Sequence, residues 1–195
     1  MKRTIVLLLI ALFAVMALSA ASKNTGMDIS KCENSAVTSF VSFLTNNGIM
    51  DKYFPEYGIF QKNNGIYHLD LVFGGCDYEK PIKIYFCDTH IELYWDSGIY
   101  MDDYKGKYDD TSAYVISEAL SCVGDYTNKY IIWASLSCYG NPYELYSGSA
   151  MAFDGLSSQS IAEAVWGRLR DYIWYSIDGF DYVKERLIEY YNTYK

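Results

Sequence analysis

The sequence has 195 residues, and its 24 acidic and 16 basic side chains give a formal net charge of −8. This length is typical of a single domain. The negative charge argues against nucleic acid as a partner, since its phosphates would be repelled. The chain also has 21 tyrosines, which are candidate contact residues because each ring combines apolar area with a polar tip.

The N-terminus has the charged, apolar and small-residue parts of a secretory signal. Lys2 and Arg3 precede an apolar run over residues 5–18, which small residues follow. The run is shorter than the roughly 20 residues of a membrane span. We therefore predict a signal peptide over 1–21, a linker over 22–34 and one domain over 35–195. The mature protein would be periplasmic or extracellular and off the membrane, unless the segment is retained as an anchor.

An exported chain can form disulfides, and five cysteines follow the predicted signal. Because the number is odd, at least one thiol is free or joined to another chain. The spacing selects no pairing, and burial of several cysteines as small apolar side chains is the alternative. The five are Cys32, Cys76, Cys87, Cys122 and Cys138.

Strand-like segments joined by tight turns occupy residues 58–95. Asn64-Gly65 predicts a two-residue hairpin turn, because such turns need positive φ. In the second strand, residues 67, 69, 71 and 73 share one face, while His68 and Asp70 lie on the other. Strands are predicted over 58–62, 66–73, 81–86 and 90–95. We expect these four strands to form an antiparallel sheet with one apolar face.

That apolar face must be covered by the rest of the chain. Helical periodicity predicts helices over 35–44, 111–123 and 157–175. Gly179 is predicted to interrupt the C-terminal helix, which resumes over 181–194. Strands over 129–138 and 143–153 would extend the sheet. The predicted fold is α+β: an antiparallel sheet of about five to six strands covered by a long C-terminal helix, with helices before and between the strands.

The stretch from residue 96 to 110 is acidic and irregular, and Tyr100, Tyr104 and Tyr108 recur in it every four residues. A solvated acidic loop is the favoured interpretation. The tyrosines could instead form a ligand-binding surface, and the carboxylates could hold Ca²⁺, although their spacing does not match an EF-hand. We take the three tyrosines as candidate binding residues and predict no metal site and no cofactor.

Catalytic motifs are missing from the sequence. It contains no phosphate-binding loop, zinc-protease helix, dinucleotide fingerprint or nucleophile elbow. His68 with Asp70 could relay a proton, but a pair of surface side chains is the favoured interpretation. Cys87 with His90 would need an orienting third group to act as a thiolate–imidazole pair. An enzyme is therefore not favoured.

The order of elements resembles the YbjN family, whose fold is similar to that of type III secretion chaperones. The resemblance covers roughly Ser35 to Leu187, and its best local match is the strand and turn from Tyr146 to Leu156 with the helix over 161–177. The second helix lacks the asparagines of the family, and the export signal departs from its usual cytoplasmic location. The resemblance implies a non-catalytic module that binds protein or peptide, and it assigns no functional residues.

We therefore expect an exported binding or sensory module of YbjN-like type, with a protein, peptide or small-molecule partner. A homodimer through a helix or an edge strand is a further expectation. The alternatives are a small secreted hydrolase that uses carboxylates or His68, and a protein that binds glycans or peptidoglycan through surface tyrosine and tryptophan.

Overall fold

The structure is a computed structural model that describes residues 21–78, 80–100, 132–137, 144–153 and 156–194. The signal peptide is predicted almost entirely in residues outside these ranges. The helix predicted over 111–123 and the acidic stretch beyond Tyr100 also lie outside them.

Seven strands and three α-helices make up the described chain. A short strand and a 3-10 turn come first, β1 (Lys23–Asn24) and Ile29–Lys31. Two helices follow, α1 (Ser35–Asn46) and α2 (Ile49–Tyr53). The remaining strands are β2 (Glu56–Gln61), β3 (Tyr67–Val72), β4 (Ile82–Phe86), β5 (His90–Tyr100), β6 (Ile132–Ser137) and β7 (Glu144–Ala152). The described chain ends in α3 (Ser158–Tyr194).

The strands form one sheet in the order β1-β2-β3-β4-β5-β7-β6. Six strands pair antiparallel, and the two-residue β1 pairs parallel with β2. The α+β class and the covering helix are therefore confirmed, with the refinement that the sheet is mixed. β1 lies within the predicted linker, where the Thr25 amide donates to the Tyr57 carbonyl at 2.8 Å.

The hairpin between β2 and β3 lies where the sequence predicts it, but its loop has three residues instead of two. The Lys62 amide donates to the Ile66 carbonyl at 2.9 Å, and the Gly65 amide donates to the Lys62 carbonyl at 2.9 Å. Gly65 has a φ of +84°. A turn followed by a left-handed glycine is the usual form of a three-residue hairpin.

The prediction that Gly179 interrupts the C-terminal helix is wrong. α3 runs unbroken through 37 residues, which corresponds to a length of about 55 Å. Phe180, Val183 and Leu187 beyond the glycine are at most 2% exposed. Burial of such side chains contributes about 1.5–3 kcal/mol each, which exceeds the cost of about 1 kcal/mol for a helical glycine.

The core lies between the sheet and the helices α1 and α3. The apolar side chains of β3, β4 and β5 alternate with more exposed ones, and Leu69, Ile84 and Leu93 are 0% exposed. Val165 and Leu169 of α3 are also 0% exposed. α1 packs on α3 and on β3, and α3 packs on β5 and β7. The predicted apolar face is therefore covered by the predicted helix.

Candidate functional site

The second face of the sheet, opposite the helices, carries polar and aromatic side chains. We call it the polar face and define it by Phe60, His68, Asp70, Lys83, Tyr85, Glu92 and Tyr94. All seven are half-buried. Their positions follow from the period of two in each strand, which puts every second residue on this side.

Four rings on the polar face form a continuous aromatic row across β2, β3, β4 and β5. Ring centroids are 5.2 Å apart for Phe60 and His68, 5.3 Å for His68 and Tyr85, and 5.5 Å for Tyr85 and Tyr94. The Phe60 and His68 rings stack on each other, so their faces are partly used within the protein. A ligand on this row would therefore meet ring edges and polar tips more than ring faces.

A shallow cavity of about 230 Å³ adjoins the end of the row. It is lined by Lys62, Ile66, Tyr85, Cys87, Glu92 and Tyr94. The Lys62 ammonium lies 3.9 Å from the centre of the Tyr85 ring. The Tyr94 hydroxyl donates to Glu92 Oε2 at 3.2 Å, and His90 Nε2 lies 3.4 Å from Glu92 Oε1. The cavity thus presents one cation and one anion beside an apolar and aromatic wall.

His68 and Asp70, which the sequence favours as surface residues, are mostly buried. Their side chains are 16% and 21% exposed, with His68 Nε2 and Asp70 Oδ1 3.5 Å apart. Burial lowers the pKa of His68, and nearby Lys62 and Lys83 lower it further, while the Asp70 carboxylate opposes them. Burial also raises the pKa of Asp70. A neutral imidazole at neutral pH follows from these directions.

The buried atoms of this pair are incompletely satisfied. Within the described residues, His68 Nδ1 and Asp70 Oδ1 have no hydrogen-bond partner. An unpaired buried polar atom costs about 1–3 kcal/mol. Both atoms lie in the middle of the polar face.

Cys87 and His90 do not form a catalytic pair. Their contact joins backbone atoms, since the Cys87 amide donates to the His90 carbonyl at 3.0 Å. The His90 ring lies beside Thr89 and Glu92 instead. Burial and the carboxylates of Glu92 and Asp88 raise the pKa of the Cys87 thiol, whereas a nucleophilic cysteine needs a lowered pKa.

The other described cysteines are free thiols as well. Cys32 is buried, and Cys76 is half-buried like Cys87. Burial raises the pKa of both Cys32 and Cys76. These three thiols match the interpretation of cysteine as a small buried side chain. Cys122 and Cys138 lie outside the described residues.

Only one of the three predicted binding tyrosines lies in the described chain. Tyr100 ends β5, where the Lys80 ammonium lies 3.3 Å from its hydroxyl and 5.4 Å from its ring centre. β5 reaches this residue through an irregularity after Asp96, with Gly98 at a φ of +70°. Tyr104 and Tyr108 lie outside the described residues, so the proposed tyrosine surface stays a prediction.

Three of the four tryptophan side chains can be placed. Trp95 is 0% exposed, and its Nε1 donates to the Lys80 carbonyl at 2.9 Å. Trp166 is half-buried, whereas Trp174 on α3 is 68% exposed. Of these three, Trp174 alone offers a large apolar surface to a partner.

The sequence places His68 and Asp70 on the second face, and the same alternation in β4 and β5 puts Lys83, Tyr85 and Glu92 there, but it gives no sign of the cavity. Lys62 follows β2 and Ile66 precedes β3, and both line the same cavity as Glu92 of β5. They come together only because β2, β3, β4 and β5 pair in that order. The available signal was parity: Phe60 and Tyr94 alternate with the core residues Ile59 and Leu93. That signal places a residue on a face without saying which neighbours it has.

Comparison with family models, with curated proteins and with solved structures gives no match for this chain. The likeness to the YbjN family therefore stays a prediction. Within the part of the chain that is described, no cluster of three or more His, Cys, Asp or Glu residues could hold a metal ion. In the same residues, no helix combines the length and the apolar character needed to cross a bilayer.

Proposed function

We propose that the protein is an exported, non-catalytic binding module of YbjN-like type that holds a short peptide or amino-acid ligand in the cavity beside the aromatic row. The observation that carries the proposal is that Lys62 and Glu92, which carry opposite charges, both line one shallow cavity. A zwitterionic ligand can meet both charges at once, with its carboxylate toward Lys62 and its amine toward Glu92.

The size of the cavity limits the ligand. Its volume of about 230 Å³ is below the roughly 300–1,000 Å³ that drug-sized ligands occupy. One amino-acid residue or the end of a peptide is an appropriate occupant. The acidic character of the whole chain adds a preference for peptides that carry a positive charge, since these are attracted over distance.

The chemistry of the lining residues favours binding over catalysis. The one thiol in the cavity, Cys87, has a raised pKa. Glu92 accepts a hydrogen bond from the Tyr94 hydroxyl and lies beside His90. We assign its carboxylate the further role of accepting a hydrogen bond from the amine of a bound ligand. Export is the remaining part of the proposal, and the signal-like N-terminus supports it.

Isothermal titration with lysine-containing tripeptides tests the proposal, with N-acetylglucosamine oligomers as the comparison ligands. Lys62→Gln and Glu92→Gln each remove one charge at nearly constant shape. A charged hydrogen bond contributes about 1.5–3 kcal/mol, so each variant should weaken peptide binding at least about tenfold. The matched control is Lys52→Gln, because Lys52 also lies over a tyrosine ring, at 4.8 Å from Tyr53, and does not line the cavity.

The outcomes of this titration distinguish peptide binding in the cavity from glycan binding and from no binding. Peptide binding that is lost in both cavity variants and kept in the control supports the proposal. If the protein binds the N-acetylglucosamine oligomers and none of the peptides, the glycan-binding alternative would replace the peptide-binding proposal. Absence of binding to any tripeptide, or equal binding by Lys62→Gln and Lys52→Gln, would overturn the assignment of this cavity.

A further inference from the structure

The exposed side of α3 carries four residues that fall on one helix face. Gly167, Arg170, Asp171 and Trp174 have the spacing i, i+3, i+4 and i+7, which aligns side chains along a helix. Trp174 is 68% exposed, and the side chains of Arg170 and Asp171 are 65% and 52% exposed. We call these four residues the α3 patch.

The α3 patch is complementary to itself. Around a twofold axis between residues 170 and 171, an antiparallel copy brings Arg170 opposite the second Asp171, and Trp174 opposite the second Gly167. The space above Gly167 is open, since a Cβ added there would meet nothing within 4 Å. Trp174 of each copy therefore faces the open space above the other copy's Gly167, and Arg170 of each copy faces the other copy's Asp171. Both contacts occur twice because of the twofold symmetry. A dimer interface with a twofold axis requires this kind of matching.

We propose that a second copy of this chain binds the α3 patch, so that two α3 helices cross antiparallel with each indole seated over the partner's Gly167. The inference is independent of the proposed ligand cavity, which lies on the other face of the sheet. Tryptophan and arginine are the residues most often found at the energetic centre of interfaces. In the single chain, Arg170 pairs with its own Asp171 at 3.2 Å, and the dimer extends this pair into a ring of four charges.

The flanking charges limit the contact to the centre of the helix. Glu163 and Asp178 would lie opposite each other about two turns from the axis, and both are acidic and exposed. Helices that cross at an angle diverge at that distance, so the repulsion is small. One helix crossing also buries less than the about 1,600 Å² of a standard interface. We therefore expect a weak dimer whose population depends on protein concentration.

Sedimentation velocity from low-micromolar to near-millimolar concentration, at physiological salt, measures the dimer. Trp174→Ala should remove it by deleting the side chain that fills the gap. Gly167→Leu should also remove it by filling the gap, and this variant should be more stable as a monomer because leucine favours the helix more than glycine does. Ile188→Ala is the matched control, since Ile188 is an exposed apolar residue of the same helix, 42% exposed, outside the α3 patch.

Charge variants give the decisive comparison. Arg170→Asp makes both central positions acidic and Asp171→Arg makes both basic, so each variant alone should dimerise at least about tenfold more weakly. An equimolar mixture of the two restores opposite charges across the axis, and it should form a heterodimer. Circular dichroism verifies that both variants stay folded.

The proposal is overturned if the native protein stays monomeric at every concentration, or if it dimerises equally with Trp174→Ala. A mixture of the two charge variants that remains monomeric would also overturn it. Peptide titration of the same variants keeps the two proposals apart, because variants of the α3 patch should bind the cavity ligand normally.

Discussion

Tyr172 connects the long helix to the sheet through a buried hydrogen-bond network, and its hydroxyl provides a direct test of that connection. The side chain is 0% exposed, and its hydroxyl donates to the Ser147 carbonyl at 2.9 Å. Ser147 Oγ lies 2.9 Å from both the Tyr172 hydroxyl and Ser176 Oγ. Burial raises the pKa of Tyr172, so the phenol stays protonated and donates at all ordinary pH values.

Tyr172→Phe keeps the ring and deletes only the hydroxyl. A buried hydrogen bond contributes about 0.5–1.5 kcal/mol, and a buried group left without its partner costs about 1–3 kcal/mol. We expect the free energy of unfolding to fall by about 1–3 kcal/mol. The melting temperature should fall by about 2–4 °C for each kcal/mol lost in a domain of this size. Urea unfolding followed by circular dichroism measures the change.

The control is Tyr53→Phe, because the half-buried Tyr53 hydroxyl has no hydrogen bond within the described part of the chain. Adding Ser147→Ala completes a double-mutant cycle, which should give a coupling energy above about 0.5 kcal/mol between the two positions. If Tyr172→Phe costs no more than Tyr53→Phe, the network does not hold α3 on β7 and the reasoning is refuted. Additive substitutions would remove only the contact between Ser147 Oγ and the Tyr172 hydroxyl from the network, because Ser147→Ala keeps the backbone carbonyl that accepts from Tyr172.

Three further predictions concern the core, the polar face and the sheet edge. Trp95→Phe should cost about 2–4 kcal/mol in urea unfolding, because it leaves a cavity and deletes the hydrogen bond that Trp95 Nε1 donates to the Lys80 carbonyl. A loss below about 1 kcal/mol, roughly the value of a tolerated swap, would contradict it. Because the folded pKa of His68 is lowered, the unfolded state binds more protons below about pH 6.5. The melting temperature should therefore fall on acidification through that value, and His68→Gln should reduce the fall; an unchanged profile would count against the lowered pKa. Gly26→Ala should cost about 1–3 kcal/mol by overpacking, since a Cβ there overlaps the Ile59 backbone. Hydrogen exchange should then show lost protection of residues 23–27, and unchanged protection would contradict the contact.

The local sequence pattern was sufficient for the fold class because its signals depend on nearby residues. Alternation at residues 67–73 and 82–86 is the direct consequence of strand geometry, and β3 and β4 have the predicted inward sides. The stripe through Ile161, Val165 and Leu169 likewise follows from helical periodicity. These patterns predicted a sheet with one apolar face and a helix that covers it, and the structure confirms both.

The features that the sequence left undecided depend on residues far apart in the chain. β7 was predicted as a strand, but its place between β5 and β6, where it is paired on both sides, depends on strands elsewhere in the chain. α3 continues through Gly179 because the sheet buries Phe180 and Val183 beyond it. Local propensity alone favoured a break there.

The candidate sites divide in the same way. Parity along each strand determined that His68, Tyr85 and Glu92 share a face, and the helical period determined that Arg170 and Trp174 share another. Only the tertiary structure decided that Lys62 reaches Tyr85, that His68 is mostly buried, and that Trp174 is exposed. Periodicity states the direction of a side chain from its own backbone, whereas burial, distance and charge pairing depend on the elements that pack against it.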